Sequence, residues 1–257
     1  MDLALNLSLG NPYKSATQKS RVITEGWIAE NMFCPICGCE MLTHYTNNRP
    51  VADFYCPKCC SDFELKSRQS ISGNISQIIP DGAYATMIER IASFNNPNLL
   101  VMTYARGYVN TLVLVPNFFF TSDVIIKRKP LGPTARRAGW QGCNIDFGSI
   151  PDIGKISIIQ NSHEIPQSEI IQNYNKAILL KTNNLDSRGW LMDTLICVQS
   201  IPTTTFSLND VYKFADKLRV KHPNNNHIYA KIRQQLQLLR DKGLLEFTTR
   251  GHYKKVE

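Results

Sequence analysis

The feature that most restricts how this chain can fold is a double cysteine knuckle. Cys34-x-x-Cys37 is followed, after an eighteen-residue spacer, by Cys56-x-x-Cys59. Each C-x-x-C turn aims two thiolates at one point, and two such turns complete a closed tetrahedron. The pattern predicts a structural zinc held by Cys34, Cys37, Cys56 and Cys59. Four protein ligands leave no open position, so this ion braces the fold and does no chemistry. Cys39 and Cys60 flank the knuckles and compete as substitutes for a neighbouring ligand. Six of the eight cysteines fall between 34 and 60, which fits a metal in a reducing compartment better than the disulfides of a secreted chain.

The second knuckle reads as the turn of a hairpin whose strands are VADFYC and DFELKS. That hairpin carries Asp53, Glu64 and Lys66 in the order Pro-x-x-Asp, a ten-residue spacer, then Glu-x-Lys. Side chains alternate faces along a strand, so Glu64 and Lys66 share one face and Asp53 can lie beside them. Two carboxylates and an ammonium on one face can hold a divalent cation and position a water, the chemistry of phosphodiester hydrolysis. Taken alone, Glu-x-Lys is more often a charge pair on an exposed strand. Here Ala52, Phe54, Phe63 and Leu65 flank the charges, and unpaired charges beside a core are costly.

The 257 residues suffice for one large domain, or a medium domain and a small one, and 43% hydrophobic content supports a real core. No apolar run approaches the ~20 residues that span a bilayer. MDLALNLSLG lacks the basic and hydrophobic regions of a signal peptide. A soluble, intracellular protein with no membrane partner is expected. The net charge of +8 is unevenly placed: residues 183–257 hold 12 Lys/Arg against 7 Asp/Glu, and Lys127 to Gly142 holds five Lys/Arg and no acid. Basic segments attract polyanions through counterion release, and equally serve as solubilising surface.

In chain order, Ala16 to Met32 predicts a helix with Val22, Ile23, Trp27 and Ile28 inward. Glu25 lies on it, either as an extra acid near the hairpin or, as the better expectation, on the surface. SRQSISGNISQIIP reads as a polar loop, and Asp81 as the N-cap of a helix reaching about Phe94. LLVMTY and VNTLVLVP read as strands joined by an Ala-Arg-Gly turn; KISIIQ reads as another, and Ile165 to Leu180 as a helix. This mixture gives an α/β domain ending near residue 182. Pro and Gly make IIKRKPLGPTARRAGWQGC a basic loop carrying Arg136, Arg137 and Trp140. Trp140 suits stacking on or wedging between bases, or anchors the loop to the core.

Beyond residue 183 the pattern becomes helical. Trp190 to Ile201 marks one helix. Ser207-x-x-Asp210 is a capping box opening a second, with Val211, Tyr212, Ala215 and Leu218 inward. His227 to Lys242 is a third, closed by Gly243, with Lys231, Arg233 and Gln234 on its polar side. LLEFTT and HYKKV form a hairpin around Arg250-Gly251. Three helices and a basic hairpin describe a winged helix, whose third helix enters a major groove or, in protein-binding versions, meets a partner protein.

Long runs of the chain resemble the DpnI-like, methyl-directed (type IIM) restriction endonucleases of the PD-(D/E)xK superfamily. They are NNRPVADFYC, FELKS, DGAYATM, IIKRKPLGPTARRAGW, GCNID, DSRGW, KIRQQLQ and LRDK. The resemblance implies an α/β fold with a mixed sheet, flanking helices and a four-cysteine zinc site over residues 1–182, then a winged-helix DNA-binding domain over 183–257. It implies a type II enzyme that cuts double-stranded DNA at GATC bearing N6-methyladenine, in the bacterial cytoplasm, as a monomer in solution. It assigns Mg²⁺ to Asp53, Glu64 and the Leu65 carbonyl, water orientation or deprotonation to Lys66, zinc to Cys34, Cys37, Cys56 and Cys59, and the wedge to Trp140. Candidate DNA contacts are Arg136, Arg137 and Trp140, and His227, Lys231, Arg233, Gln234 and Arg250 in the winged helix. The rival expectation is a non-catalytic, zinc-stabilised reader of methylated DNA.

Overall fold

The computed structural model describes residues 1–45, 52–182 and 184–256. Pro50, which opens the Pro-x-x-Asp pattern, lies outside them. The chain divides into two compact units, Met1–Gly148 with Asp152–Ile178, and Ser149–Pro151 with Leu179–Glu257.

The first unit is built on a seven-stranded mixed sheet. Its strands are β1 (Thr43–His44), β2 (Phe54–Tyr55), β3 (Asp62–Gln69), β5 (Asn98–Ala105), β6 (Tyr108–Val115), β9 (Ile156–Gln160) and β10 (His163–Glu164), in that spatial order. The expected hairpin is present: β2 pairs antiparallel with β3, setting Phe54 opposite Phe63. Both rings are fully buried, and each burial stabilises by about 1.5–3 kcal/mol. β3 then pairs parallel with β5 over seven residues, Phe63 to Gln69. β5 and β6 form an antiparallel hairpin closed by Arg106 and Gly107, both at positive φ. Two successive positive-φ residues suit the twist of a tight hairpin turn. Leu99 to Met102, Leu112 to Val115, and Ile156, Ile158 and Ile159 make the centre of the core.

Helix α1 (Ala16–Asn31) lies against β3. Trp27 and Ile28 are buried, and the Thr24 hydroxyl donates to Ser67 Oγ on β3 at 3.0 Å. The inward stripe therefore runs through Thr24, Glu25, Trp27 and Ile28 rather than Val22 and Ile23. Helix α3 (Gln167–Ile178) packs on β9 through Ile170, Tyr174 and Ala177.

The segment after Lys66 differs from the expected loop. β3 continues to Gln69, and Ile78–Ala83 is a strand, β4, which precedes α2 (Tyr84–Ala92). β4 belongs to a second, three-stranded sheet with β7 (Ile125–Lys127) and β8 (Gly142–Asp146), in the order β4-β8-β7. Local pattern points to loops here because each strand is short and β4 contains Pro80. Proline lacks a donor but is tolerated on an edge strand, which β4 is.

The second unit holds α4 (Leu185–Ser200), α5 (Leu208–Tyr212), α6 (Ala215–Lys221) and α7 (Ile228–Asp241), with a sheet of β11 (Thr205–Ser207), β13 (His252–Lys255) and β12 (Leu245–Thr249). The capping box of Ser207 and Asp210 is complete. The expected second helix is broken at Lys213–Phe214 into α5 and α6. Ile228, Ile232, Leu236 and Leu239 turn inward from α7, and Gly243 at φ 73° closes it. These helices and the wing make a helix-turn-helix domain.

Candidate active site and metal centre

The two knuckles meet as their spacing requires. The Sγ atoms of Cys34, Cys37, Cys56 and Cys59 all lie within 4.8 Å of one another. Cys34 Sγ is 3.7 Å from Cys59 Sγ, and Cys37 Sγ is 3.5 Å from Cys56 Sγ. A tetrahedron with metal–sulfur bonds of about 2.3 Å has edges of about 3.8 Å, so the set fits zinc. Burial pushes the Cys34 thiol well up; at Cys59 burial is outweighed by hydrogen bonds from Ser61, which bring it to about 7. Thiolate is the ligating form, which the lowering at Cys59 favours.

The knuckles also show what Cys60 and Cys39 do. In the first, Gly38 at φ 73° donates its N–H to the Cys34 carbonyl at 2.9 Å. In the second, Cys60 at φ 57° donates to the Cys56 carbonyl, also at 2.9 Å. Cys60 thus occupies the turn position that Gly38 fills, and its role is conformational. Cys39 accepts the Cys34 N–H through its carbonyl at 2.7 Å. Neither belongs to the converging set.

The knuckles hold β2 against β3, and the charged trio sits just beyond. Asp53 donates its N–H to the Phe63 carbonyl at 2.9 Å, and its Oδ2 accepts the Leu65 N–H at 2.7 Å. A residue's N–H and C=O project to the same edge of a strand, so the Leu65 carbonyl also faces the Asp53 side. Glu64 and Lys66 share a face, with Lys66 Nζ 2.5 Å from Glu64 Oε1. Carboxylate and carbonyl oxygens, the donor types that Asp53, Glu64 and Leu65 carry, suit a hard divalent cation.

Two residues stand elsewhere than their local sequence suggests. Asp81 is not a helix cap: it lies in β4, its side chain 5% exposed, with Oδ1 2.6 Å from Lys66 Nζ. Ala83 holds the N-cap position of α2 and makes no side-chain cap bond. The Pro80-Asp81-Gly82 run before a helical pattern looks like a start signal, and only tertiary pairing tells it from a strand. Glu25 is not on the surface but 8% exposed, with Oε2 3.2 Å from His44 Nε2 and Oε1 3.3 Å from Arg21 Nε. Burial raises its carboxyl, and the Asp53 charge adds to the rise.

The electrostatics follow from this packing. Burial raises the Glu64 carboxyl against the pull of Lys66. Burial alone would lower the Lys66 ammonium, but Glu64 and Asp81 outweigh it and hold the group above its usual range. Lys66 is therefore held as a charged donor in this arrangement. Arg90 on α2 is within electrostatic reach of Glu64 and Asp81.

The basic segment forms a closed loop between β7 and β8. Leu131 donates its N–H to the Trp140 carbonyl at 2.9 Å, and Gly139, at φ 79°, donates to the Leu131 carbonyl at 3.0 Å. Trp140 is half-buried and rests on Gly142, where an added Cβ would come within 2.8 Å of the indole. Arg137 and Arg128 lie over its ring at 4.7 and 6.0 Å. Arg136 is exposed. Tyr84, unremarked from sequence, joins Trp140, Ile88 and Gln141 around a cavity of about 640 Å³.

In the second unit, Arg233 and Gln234 are exposed on α7, as are Tyr229 and Ala230. Arg233 donates to the Tyr212 hydroxyl at 2.7 Å. Lys231 is half-buried, with Nζ 6.0 Å from the Trp190 ring centre, and so stands apart from that face. His227 precedes α7 and is exposed, as is Arg250 near the wing turn.

Comparison with known families matches residues 1–183 to the DpnI, or Dam-replacing, family and residues 186–255 to the Dam-replacing helix-turn-helix domain. The chain belongs to the Dam-replacing family. That family makes it a methylation-dependent restriction endonuclease, a nuclease with a DNA-binding helix-turn-helix domain. Among the described residues, no helix of this family member is long and apolar enough to cross a membrane.

Proposed function

We propose that this chain is a type II endonuclease that hydrolyses double-stranded DNA at GATC carrying N6-methyladenine, using Mg²⁺. The observation that carries the reading is that Asp53, anchored on the Leu65 N–H, lies within electrostatic reach of Glu64, which pairs with Lys66 on one face of β3. Mg²⁺ held there would neutralise charge on the scissile phosphate and lower the pKa of a bound water. Asp53 and Glu64 supply the carboxylates, and the hydrogen bond from Leu65 N–H fixes the Asp53 rotamer. Lys66 keeps its proton and donates to the attacking water or a phosphate oxygen, steadying negative charge as one P–O bond forms and another breaks. The basic loop places Trp140 and its arginines to grip the duplex, and the helix-turn-helix domain, tethered in cis, raises the local concentration of sites. Adenine offers N7 and N6 in the major groove, where a methyl adds apolar surface for a reader to reward. The reading makes the enzyme a cytoplasmic monomer.

The test is a digest of two plasmids of identical sequence, one N6-methylated at GATC and one not, with and without Mg²⁺. Cutting of the methylated plasmid alone, dependent on Mg²⁺, is expected. Binding without cutting would leave the non-catalytic reader as the answer. Asp53→Ala and Lys66→Ala should retain DNA affinity and lose about 10²–10³-fold in cleavage rate, on the scale of removing charge stabilisation from a transition state.

A further inference from the structure

The Lys66 ammonium is shared between two carboxylates of different origin. Glu64, 2.5 Å away, is its neighbour on β3 in the large sheet. Asp81, 2.6 Å away, reaches it from β4 in the small sheet. Asp81 is the more enclosed of the two, its side chain 5% exposed against 22% for Glu64. The β4–β8 ladder shifts register between Asp81 and Ala83, and such irregularities re-aim a side chain. Asp81 is thereby directed at Lys66.

The small sheet is also the one that presents the basic loop. β7 ends at Lys127, β8 begins at Gly142, and Asp81 and Lys127 both stand opposite Cys143. Tyr84, just after β4, donates its N–H to the Gln141 carbonyl at 3.1 Å, next to Trp140. One ion pair thus joins the strand of the chemistry to the sheet of the DNA-gripping loop.

We infer that Asp81 is a positioning residue: it anchors the Lys66 ammonium from the loop-bearing sheet when Glu64 turns its carboxylate to a divalent cation. Glu64 would share its carboxylate between a cation and Lys66, so without Asp81 the long lysine side chain would lose its second hold. The inference rests on the nuclease reading for its catalytic consequence, but not for the anchoring itself.

Two experiments on the full-length, zinc-loaded chain separate these. The first is a thermal-denaturation cycle without Mg²⁺ over Asp81→Asn, Lys66→Met and the double variant. Asp81→Asn should lower Tm in the parent and raise it in the Lys66→Met background, where Asp81 and Glu64 repel each other without the ammonium between them, Arg90 being common to both backgrounds. An equal shift in both backgrounds overturns the anchor; Lys66→Gln replaces Lys66→Met should the latter not fold. The second is single-turnover cleavage at saturating DNA. Asp81→Asn should cost about 100-fold in rate, as misplacing a reacting group by about 1 Å does, with DNA affinity and half-saturating Mg²⁺ unchanged. Asp81→Glu should recover part of the rate. Full recovery of Asp81→Asn at high Mg²⁺ would make Asp81 a metal ligand and overturn the inference. A parent that cuts nothing would sink the nuclease reading, and the Tm cycle would still decide whether Asp81 holds Lys66.

Discussion

At the scale of single residues, a side chain's task here is often set by the backbone beneath it. Cys60 is a cysteine beside two zinc-type pairs, yet it stands where the other knuckle has Gly38, at φ 57°. A left-handed conformation costs a non-glycine residue about 1–2 kcal/mol, offset in part by the extra freedom glycine has when unfolded. Cys60→Gly should therefore keep full zinc stoichiometry and leave Tm equal or higher, whereas Cys34→Ser should lose zinc and unfold the first unit. Metal analysis with calorimetry reads both; zinc loss in Cys60→Gly would return that thiol to the ligand set. Glu64, Lys66 and the four zinc-type cysteines are legible in the sequence, because strand alternation and knuckle spacing are local rules. Asp81 is not, since its place depends on two sheets meeting. Glu25 escapes local reading because α1 buries Thr24 and Glu25 together with Trp27 and Ile28, a stripe that apolar periodicity does not trace.

At the scale of elements, the hairpins and most helices can be read from alternation, caps and turn residues. Arg106-Gly107, Ser207-x-x-Asp210 and Gly243 all sit where their chemistry points. The small sheet β4-β8-β7 escapes because β7 and β8 are separated by the long basic loop and β4 joins β8 from far along the chain. Removing the cap with Ser207→Ala should cost about 1 kcal/mol, seen as a lower denaturation midpoint. Within the second unit, Asp193 ties α4 to the end of α6: its Oδ1 meets Lys221 Nζ, and its Oδ2 lies 2.8 Å from His222 Nε2, whose ring stacks on Trp190. Burial pushes the Asp193 carboxyl up, but His222 and Lys221 outweigh it and hold it below its ordinary 3.8. A depressed carboxyl stabilises above its unfolded value and loses that contribution as pH falls through the folded one. The unit should therefore lose stability as pH drops below 3.8, and Asp193→Asn should flatten that acid limb. An unchanged acid limb in the variant would remove Asp193 as the cause.

At the scale of the whole chain, the positive charge is concentrated in two stretches. Lys127 to Gly142 carries five Lys/Arg without an acid, and a further excess falls after residue 183. Arg136→Ala with Arg137→Ala should weaken binding of methylated and unmethylated duplexes alike and lower the log–log salt slope by about 2, one for each phosphate no longer neutralised. A loss confined to methylated DNA would make these arginines readers rather than grips. The parallel pairing of β3 with β5 carries a separate consequence, for the order in which a nascent chain matures. The knuckles need only residues 34–59, but the ladder beside Glu64 and Lys66 waits for Asn98 to Tyr104. Pairings that span so much sequence form late, so a ribosome-bound fragment can bring its four cysteines together long before the ladder beside Glu64 and Lys66 is assembled.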